Sequence, residues 1–187
     1  DNPKYYTKDG CLIDKETGTL VWAYATNAIP CDKSIHKIGP QAFYGRKDIE
    51  HIEIPDNITE VGSYAFSHCS NLKTVTFSNA SCIIGAGCFS DCTLLSMVKL
   101  PELLSEIRNY TFAGCKALET LGIPDAVKRV ERDAWGCGKC EDLKKINISD
   151  DLIASLKEDT YTRLVRNEGE WEIEMLPNPW AFEGFTF

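Results

Sequence analysis

Ile38-Gly39-Pro40-Gln41-Ala42-Phe43 returns as Val61-Gly62-Ser63-Tyr64-Ala65-Phe66, Ile84-Gly85-Ala86-Gly87-Cys88-Phe89, Ile107-Arg108-Asn109-Tyr110-Thr111-Phe112 and Val130-Glu131-Arg132-Asp133-Ala134-Trp135. The aromatic residue comes back every 23 positions. A period between 20 and 50 residues marks a stack of identical supersecondary units. Working outward, an apolar residue recurs six, nine and eleven positions after each aromatic, as in Ile49, Ile52, Ile54 and Leu72, Val75, Phe77. The series continues with Leu95, Val98, Leu100 and with Leu118, Leu121, Ile123; a two-residue insertion separates the fifth set, Leu143, Ile146 and Ile148. The last two members alternate as an inward-facing pair does on a short strand, and neighbouring copies pair as parallel strands.

Pro55, Pro101 and Pro124 close three of these strands, because proline removes a ladder donor. Gly39, Gly62 and Gly85 stand at the turn into the aromatic segment, where a missing Cβ permits a left-handed or crowded backbone. Arg108 and Glu131 take that place in later copies, so a positive φ is not obligatory there. One copy cannot fold alone. Its six or seven apolar side chains are worth roughly 1.5 to 3 kcal/mol each on burial, against roughly 1 to 2 kcal/mol of backbone entropy per ordered residue. Stacking supplies the missing burial.

The phrase Ile-Gly-x-x-Ala-Phe-x-x-Cys-x-x-Leu-x-x-Val-x-Ile-Pro resembles the BspA-like (Treponema-type) leucine-rich repeat family, over Ile35 to Ser149. Asp9 to Val21, two apolar runs about a Thr-Gly turn, resembles the β-hairpin that often opens such arrays. The resemblance implies an α/β-type repeat solenoid, right-handed, with a parallel sheet on its concave face. It implies a non-enzymatic protein of bacterial surfaces or secretions, used for adhesion or host contact. The expected organisation is an N-terminal hairpin cap over 1–34, five repeats over 35–149 and a C-terminal cap over 150–187, in one domain.

Within the cap, Ser149 or Asp150 opens a predicted helix carrying Leu152, Ile153, Leu156, Tyr161, Leu164 and Val165 and ending near Gly169. Glu170 to Met175 alternates like a strand with one acidic face. Trp171, Trp180, Phe182, Phe185 and Phe187 are expected to pack on the last coil; Trp171, Trp180 and Phe182 also make a candidate aromatic patch for carbohydrate or a protein partner.

The net charge of −8 is concentrated at the C-terminus, where 150–187 holds nine acids against three bases, while 35–149 holds fourteen against thirteen. No basic stripe interleaved with aromatics suggests nucleic acid, and none suits an anionic membrane. No apolar run reaches the 18 residues of a spanning helix. The chain begins at Asp1 without an initiator Met or a leader, which reads as a mature or trimmed form. A monomer is expected.

Of nine cysteines, Cys69, Cys92, Cys115 and Cys140 recur at one place in the repeat. There a small buried thiol stacks on its counterpart. Rungs about 4.8 Å apart with parallel Cβ vectors do not suit a disulfide, so the ladder is expected to be reduced. Cys88 replaces the alanine of the phrase and is expected buried. Cys11, Cys31, Cys82 and Cys137 lie off the ladder and are the ones with freedom to form a bridge. Trp135-Gly136-Cys137-Gly138-Lys139-Cys140 has the outline of a thiol-redox motif or half a zinc knuckle, yet the repeat already accounts for Trp135 and Cys140, and no second pair completes four ligands.

His68 and Cys69 are neighbours in sequence but are expected to point apart, while His36 and His51 stand alone. Asn57, Asn79, Asn109 and Asn147 open Asn-x-Ser/Thr triplets, which solenoid turns generate without any glycan. No phosphate loop, hydrolytic triad or cluster of ligating carboxylates appears, so no catalytic residue, cofactor or metal is assigned.

By the period of two, the side chains between the inward strand positions face outward: His51 and Glu53, Thr74 and Thr76, Met97 and Lys99, Thr120 and Gly122, Lys145 and Asn147. This concave row is the candidate surface for a protein or glycan, with host-derived ligands among the partners expected. A spacer without its own ligand is the alternative, and a redox or zinc centre at Cys137 and Cys140 the weaker one.

Overall fold

A computed structural model describes residues 2–131 and 133–135 in full, together with the backbone of 145–147, 162–167 and 170–175. The chain opens with β1 (Tyr5–Lys8), β2 (Cys11–Asp14) and β3 (Thr19–Ala23). β1, β2 and β3 pair antiparallel in sequence, and β3 then runs parallel to the first coil. Arg46 ties this opening unit down: its guanidinium donates to the carbonyls of Ala23 (2.6 Å) and Thr26 (2.8 Å) and pairs with Asp48.

Each coil that follows contributes one two-residue strand and one longer strand. The short ones are β4 (Lys37–Ile38), β6 (Glu60–Val61), β8 (Ile83–Ile84), β10 (Glu106–Ile107) and β12 (Arg129–Val130). The long ones are β5 (His51–Ile54), β7 (Thr74–Phe77), β9 (Met97–Lys99), β11 (Thr120–Gly122) and β13 (Lys145–Asn147). Register follows the sequence period: His51 faces Thr74, and Thr74 faces Met97.

Between the two strands of a coil lies the aromatic limb. Phe43, Phe66, Phe89, Phe112 and Trp135 stack through the core with centroids 4.8 to 5.9 Å apart and planes within 18°. The limb's backbone bonds also run from coil to coil. Phe43 donates to the carbonyl of Ala65, Phe66 to Cys88, Phe89 to Thr111 and Phe112 to Ala134, at 2.8 to 3.0 Å. Amides committed to the next coil are not free for i→i−4 bonding, and no helix occurs among the described residues. The α/β-type expectation is corrected accordingly to a parallel-strand β-solenoid.

Gly62 and Gly85 are required by crowding. A Cβ on Gly62 would stand 2.6 Å from the nitrogen of Pro40, and one on Gly85 would stand 2.5 Å from that of Ser63. Left-handed backbone falls elsewhere, at Gln41, Tyr64, Gly87 and Tyr110 and again at Gly45, His68, Asp91 and Gly114. Non-glycine residues accept that conformation because every coil imposes it at the same place.

Both ladders are interrupted at the same step. The short strands join β4, β6 and β8 to the opening sheet, and β10 pairs separately with β12; the long strands split into β5-β7-β9 and a second group beginning with β11 and β13. Arg108 is the first residue with a side chain at the glycine position, where Gly62 and Gly85 have backbone at 2.5–2.6 Å. The aromatic limb carries the stack across the gap.

Beyond β13 the predicted helix is corrected in the part that is described. Leu164 and Val165 lie in β14 (Thr162–Asn167), which pairs antiparallel with β15 (Glu170–Met175), and β15 pairs antiparallel with β13 through Ile146 and Trp171. The open edge of β13 offers ladder partners, β-branched Thr162 and Val165 favour a pleated strand, and a two-residue Glu168-Gly169 link suits a hairpin. The strand expected over Glu170 to Met175 is present. The stretch 148–161 lies outside the described residues.

Candidate functional site

The long strands bring the predicted surface row together. Ile52, Ile54, Val75 and Leu121 are buried, while His51, Glu53, Met97, Lys99 and Thr120 are exposed and Thr74 and Thr76 are half-buried on the opposite side. Lys145 and Asn147 are placed in register with Thr120 and Gly122 by the backbone.

The two halves of this row differ in chemistry. Toward the N-terminus the polar groups satisfy one another. His51 Nδ1 lies 2.8 Å from Thr74 Oγ1, and Ser78 donates to Glu53 at 2.9 Å. A cleft of about 500 Å³ flanks them, walled by Asn27, Ile29 and Cys31 from the loop after β3. On β9, the last strand before the ladder gap, the groups are unspent. Met97 is 53% exposed, and the Lys99 ammonium makes no ion pair or hydrogen bond with any described residue.

The described members of the cysteine ladder, Cys69, Cys92 and Cys115, are buried and unbridged, and they also have a bonding role. The thiols of Cys69, Cys92 and Cys115 donate to the carbonyls of Phe43, Phe66 and Phe89, each at 3.1 Å, so the repeat cysteine ties its coil to the aromatic of the coil before. Cys88 is fully buried. Burial pushes the thiols of Cys11 and Cys69 up to about 11 and that of Cys82 up to about 12, with Cys88 and Cys92 raised too. None of these is a nucleophile near neutrality. Cys31 is the exposed thiol of the described set. In a variant lacking Cys137 and Cys140, Cys31 alone is expected to react with a water-soluble disulfide reagent at pH 8; a second fast-reacting thiol in that variant would contradict the burial of the ladder.

His68 and Cys69 do point apart. Cys69 is buried, whereas the His68 ring is exposed beside Tyr44 (5.2 Å between centroids) and 3.6 Å from Asp91. Asn57 and Asn79 are used internally, donating to Ile35 and Asp32 and to Asp56 and Ile58 of the preceding coil. Among the described residues no group of three His, Cys, Asp or Glu side chains is disposed to hold a metal, and no helix is long and apolar enough to cross a membrane. Cys137, Cys140, Trp180 and Phe182 lie outside the described residues, and Trp171 is placed only through its backbone in β15.

An aromatic surface at the other end escaped the sequence reading. Trp22 and Tyr24 are exposed with rings 5.6 Å apart, on the side of β3 away from buried Ala23. The alternation Trp22-Ala23-Tyr24 carries that signal through the period of two.

The family model for the BspA type leucine-rich repeat region matches residues 24–138 in six copies. That is one more than the five full phrases counted above. Ile29, Cys31 and Ile35 stand 23 positions before Ile52, Ile54 and Ile58 and supply the partial extra copy. No curated protein matches the chain.

Among solved structures, the chain is similar to a Treponema pallidum leucine-rich repeat protein, at 20% identity and a TM-score of 0.63, covering 76% of this chain and 66% of that one. It is similar to the pneumococcal vaccine antigen PcpA at 26% identity and a TM-score of 0.56, covering 80% and 32%. A leucine-rich cell surface protein from Faecalibacterium prausnitzii matches at 20% identity and a TM-score of 0.49, covering 91% and 60%. The chain thus spans less than two thirds of each of these structures. A 23-residue coil with an aromatic spine, a thiol ladder and one outward-reading strand per turn, matched over more than half its length, places this chain in the BspA-type leucine-rich repeat family.

Proposed function

We propose that this chain is a non-enzymatic protein-recognition module acting outside a bacterial cell, with the outward row of the long strands as its binding face. The observation that carries the reading is the contrast along that row: polar groups paired among themselves at its N-terminal end, and Met97 and Lys99 exposed and unspent at its middle. An exposed apolar side chain beside an unpaired cation has free energy to gain by meeting a partner. Extracellular placement is supported by the likeness to PcpA, described as a pneumococcal vaccine antigen. A glycan reading has a separate basis in the exposed Trp22 and Tyr24 rings, which offer stacking faces.

The test is a screen of the purified chain on extracellular-protein and glycan arrays, alongside the triple variant Glu53→Ala, Met97→Ala, Lys99→Ala. Exposed substitutions of this kind change stability by about 0.5 kcal/mol or less each. A protein hit that disappears in the triple variant at unchanged thermal midpoint is the expected result. A hit that survives the triple variant but is lost on Trp22→Ala would move the site to the aromatic surface.

A further inference from the structure

Gly122 is the one outward position of the long strands without a side chain. Glycine in a strand interior lowers stability, and it is explained by a left-handed backbone, by close approach of another part of the chain, or by a body that comes from outside. The first two reasons fail here. Gly122 does not adopt a positive φ, unlike Gly87 and Gly114. A Cβ built on it meets nothing within 4 Å among the described residues, where the same construction on Gly62 and Gly85 runs into backbone.

The space above Gly122 is a crevice of about 400 Å³ walled by Val98, Leu100, Ile123 and Pro124, with Lys99 and Glu102 at its rim. It sits on the interruption between β9 and β11. Val98 shows the opening directly: it is half-buried, although its counterparts Ile52, Val75 and Leu121 are buried. Thr74 and Met97 donate their amides to Glu50 and Lys73 of the preceding coil. The repeat and the period of two aim the amides of Thr120 and Gly122 the same way, into the gap. β9 and β11 still have Cα atoms within 8 Å of each other. A further strand between them would need about 9.6 Å, twice the normal spacing, so the gap admits a side chain and not a strand.

We propose that this crevice is the anchor pocket of the binding face, taking one apolar side chain from an extended acidic segment of a partner protein, with a carboxylate of that segment set on Lys99. The missing Cβ lets the partner's main chain come down onto the strand. The apolar walls suit an aliphatic or aromatic side chain better than a sugar ring, whose hydroxyls would meet no polar wall. Charge selects the flanking residue: Lys99 is an exposed cation whose side chain makes no ion pair among the described residues. Glu102 on the other rim disfavours a second acid on that side.

The inference rests on the binding-face reading and is tested apart from it with an array of extended peptides, each bearing Leu, Ile, Val or Phe flanked by Asp or Glu, beside matched peptides flanked by Lys. The full chain is expected to retain the acidic set. Gly122→Leu fills the crevice and is expected to weaken that binding by about tenfold or more at an unchanged thermal midpoint, since the new side chain enters open space. Lys99→Glu is expected to reverse the preference toward the lysine-flanked set. Peptide capture that ignores flanking charge, no capture at all, or full binding by Gly122→Leu would each overturn the pocket. The wider face reading would still stand if the array hit remained sensitive to the Glu53, Met97 and Lys99 triple variant.

Discussion

Phe89→Ala is expected to lower the unfolding free energy by about 3 to 5 kcal/mol, the cost of deleting a fully buried aromatic that cannot be refilled by collapse. Phe89 stacks between Phe66 and Phe112 and meets Phe77 edge-on. It sits beside the coil step at which both strand ladders are interrupted, so the aromatic limb carries most of the connection there. Stability in a solenoid is a sum of coil and nearest-neighbour terms. The variant is therefore expected to lose cooperativity as well, with urea unfolding splitting into a phase for the coils before the gap and one for those after it. A midpoint like that of the exposed control Thr120→Ala, in a single transition, would contradict the spine's role.

Gly85→Ala is expected to cost about 1 to 3 kcal/mol, as forced overpacking does, and to open the short-strand ladder one coil earlier. The new Cβ would stand 2.5 Å from the nitrogen of Ser63 and 2.6 Å from the carbonyl carbon of Gly62, and neither backbone atom can rotate aside. The coils would have to separate, and with them the Gly85 amide, which bonds the Val61 carbonyl at 2.8 Å. The informative comparison is Gly122→Ala, which adds the same atom into open space and is expected to be neutral. Equal thermal midpoints for the two variants would sink the crowding argument.

The parts of the fold legible in the sequence were those that every coil repeats. Phe43 through Trp135, the inward residues of the long strands and the outward row all lie where the 23-residue spacing puts them, because a parallel stack converts sequence period directly into register. The cysteine ladder was half legible. Burial followed from position, but the thiol bond to the Phe43, Phe66 and Phe89 carbonyls did not, since it depends on the carbonyl direction of the preceding coil. The glycine position offered two readings, left-handed backbone or crowding, and the choice needed the distance between coils.

Two features had no repeat to announce them. Thr162 to Asn167 continues a helical spacing of apolar residues, yet the unpaired edge of β13 and the short link to β15 favour a strand there. The interruption between β9 and β11 is equally hidden, for the apolar pattern runs through it unbroken. Its traces in the sequence are Arg108, the first side chain at the glycine position, and Gly122, where every other coil places a side chain.

Residue-resolved hydrogen exchange of the native chain tests that interruption, and the binding crevice built on it, most directly. The amides of Thr120 and Gly122 are expected to exchange at least tenfold faster than those of Met97 and Lys99, which occupy the same positions in an intact ladder. Equal protection at all four would mean that the long-strand sheet runs on without a gap, and the crevice at Gly122 would go with it.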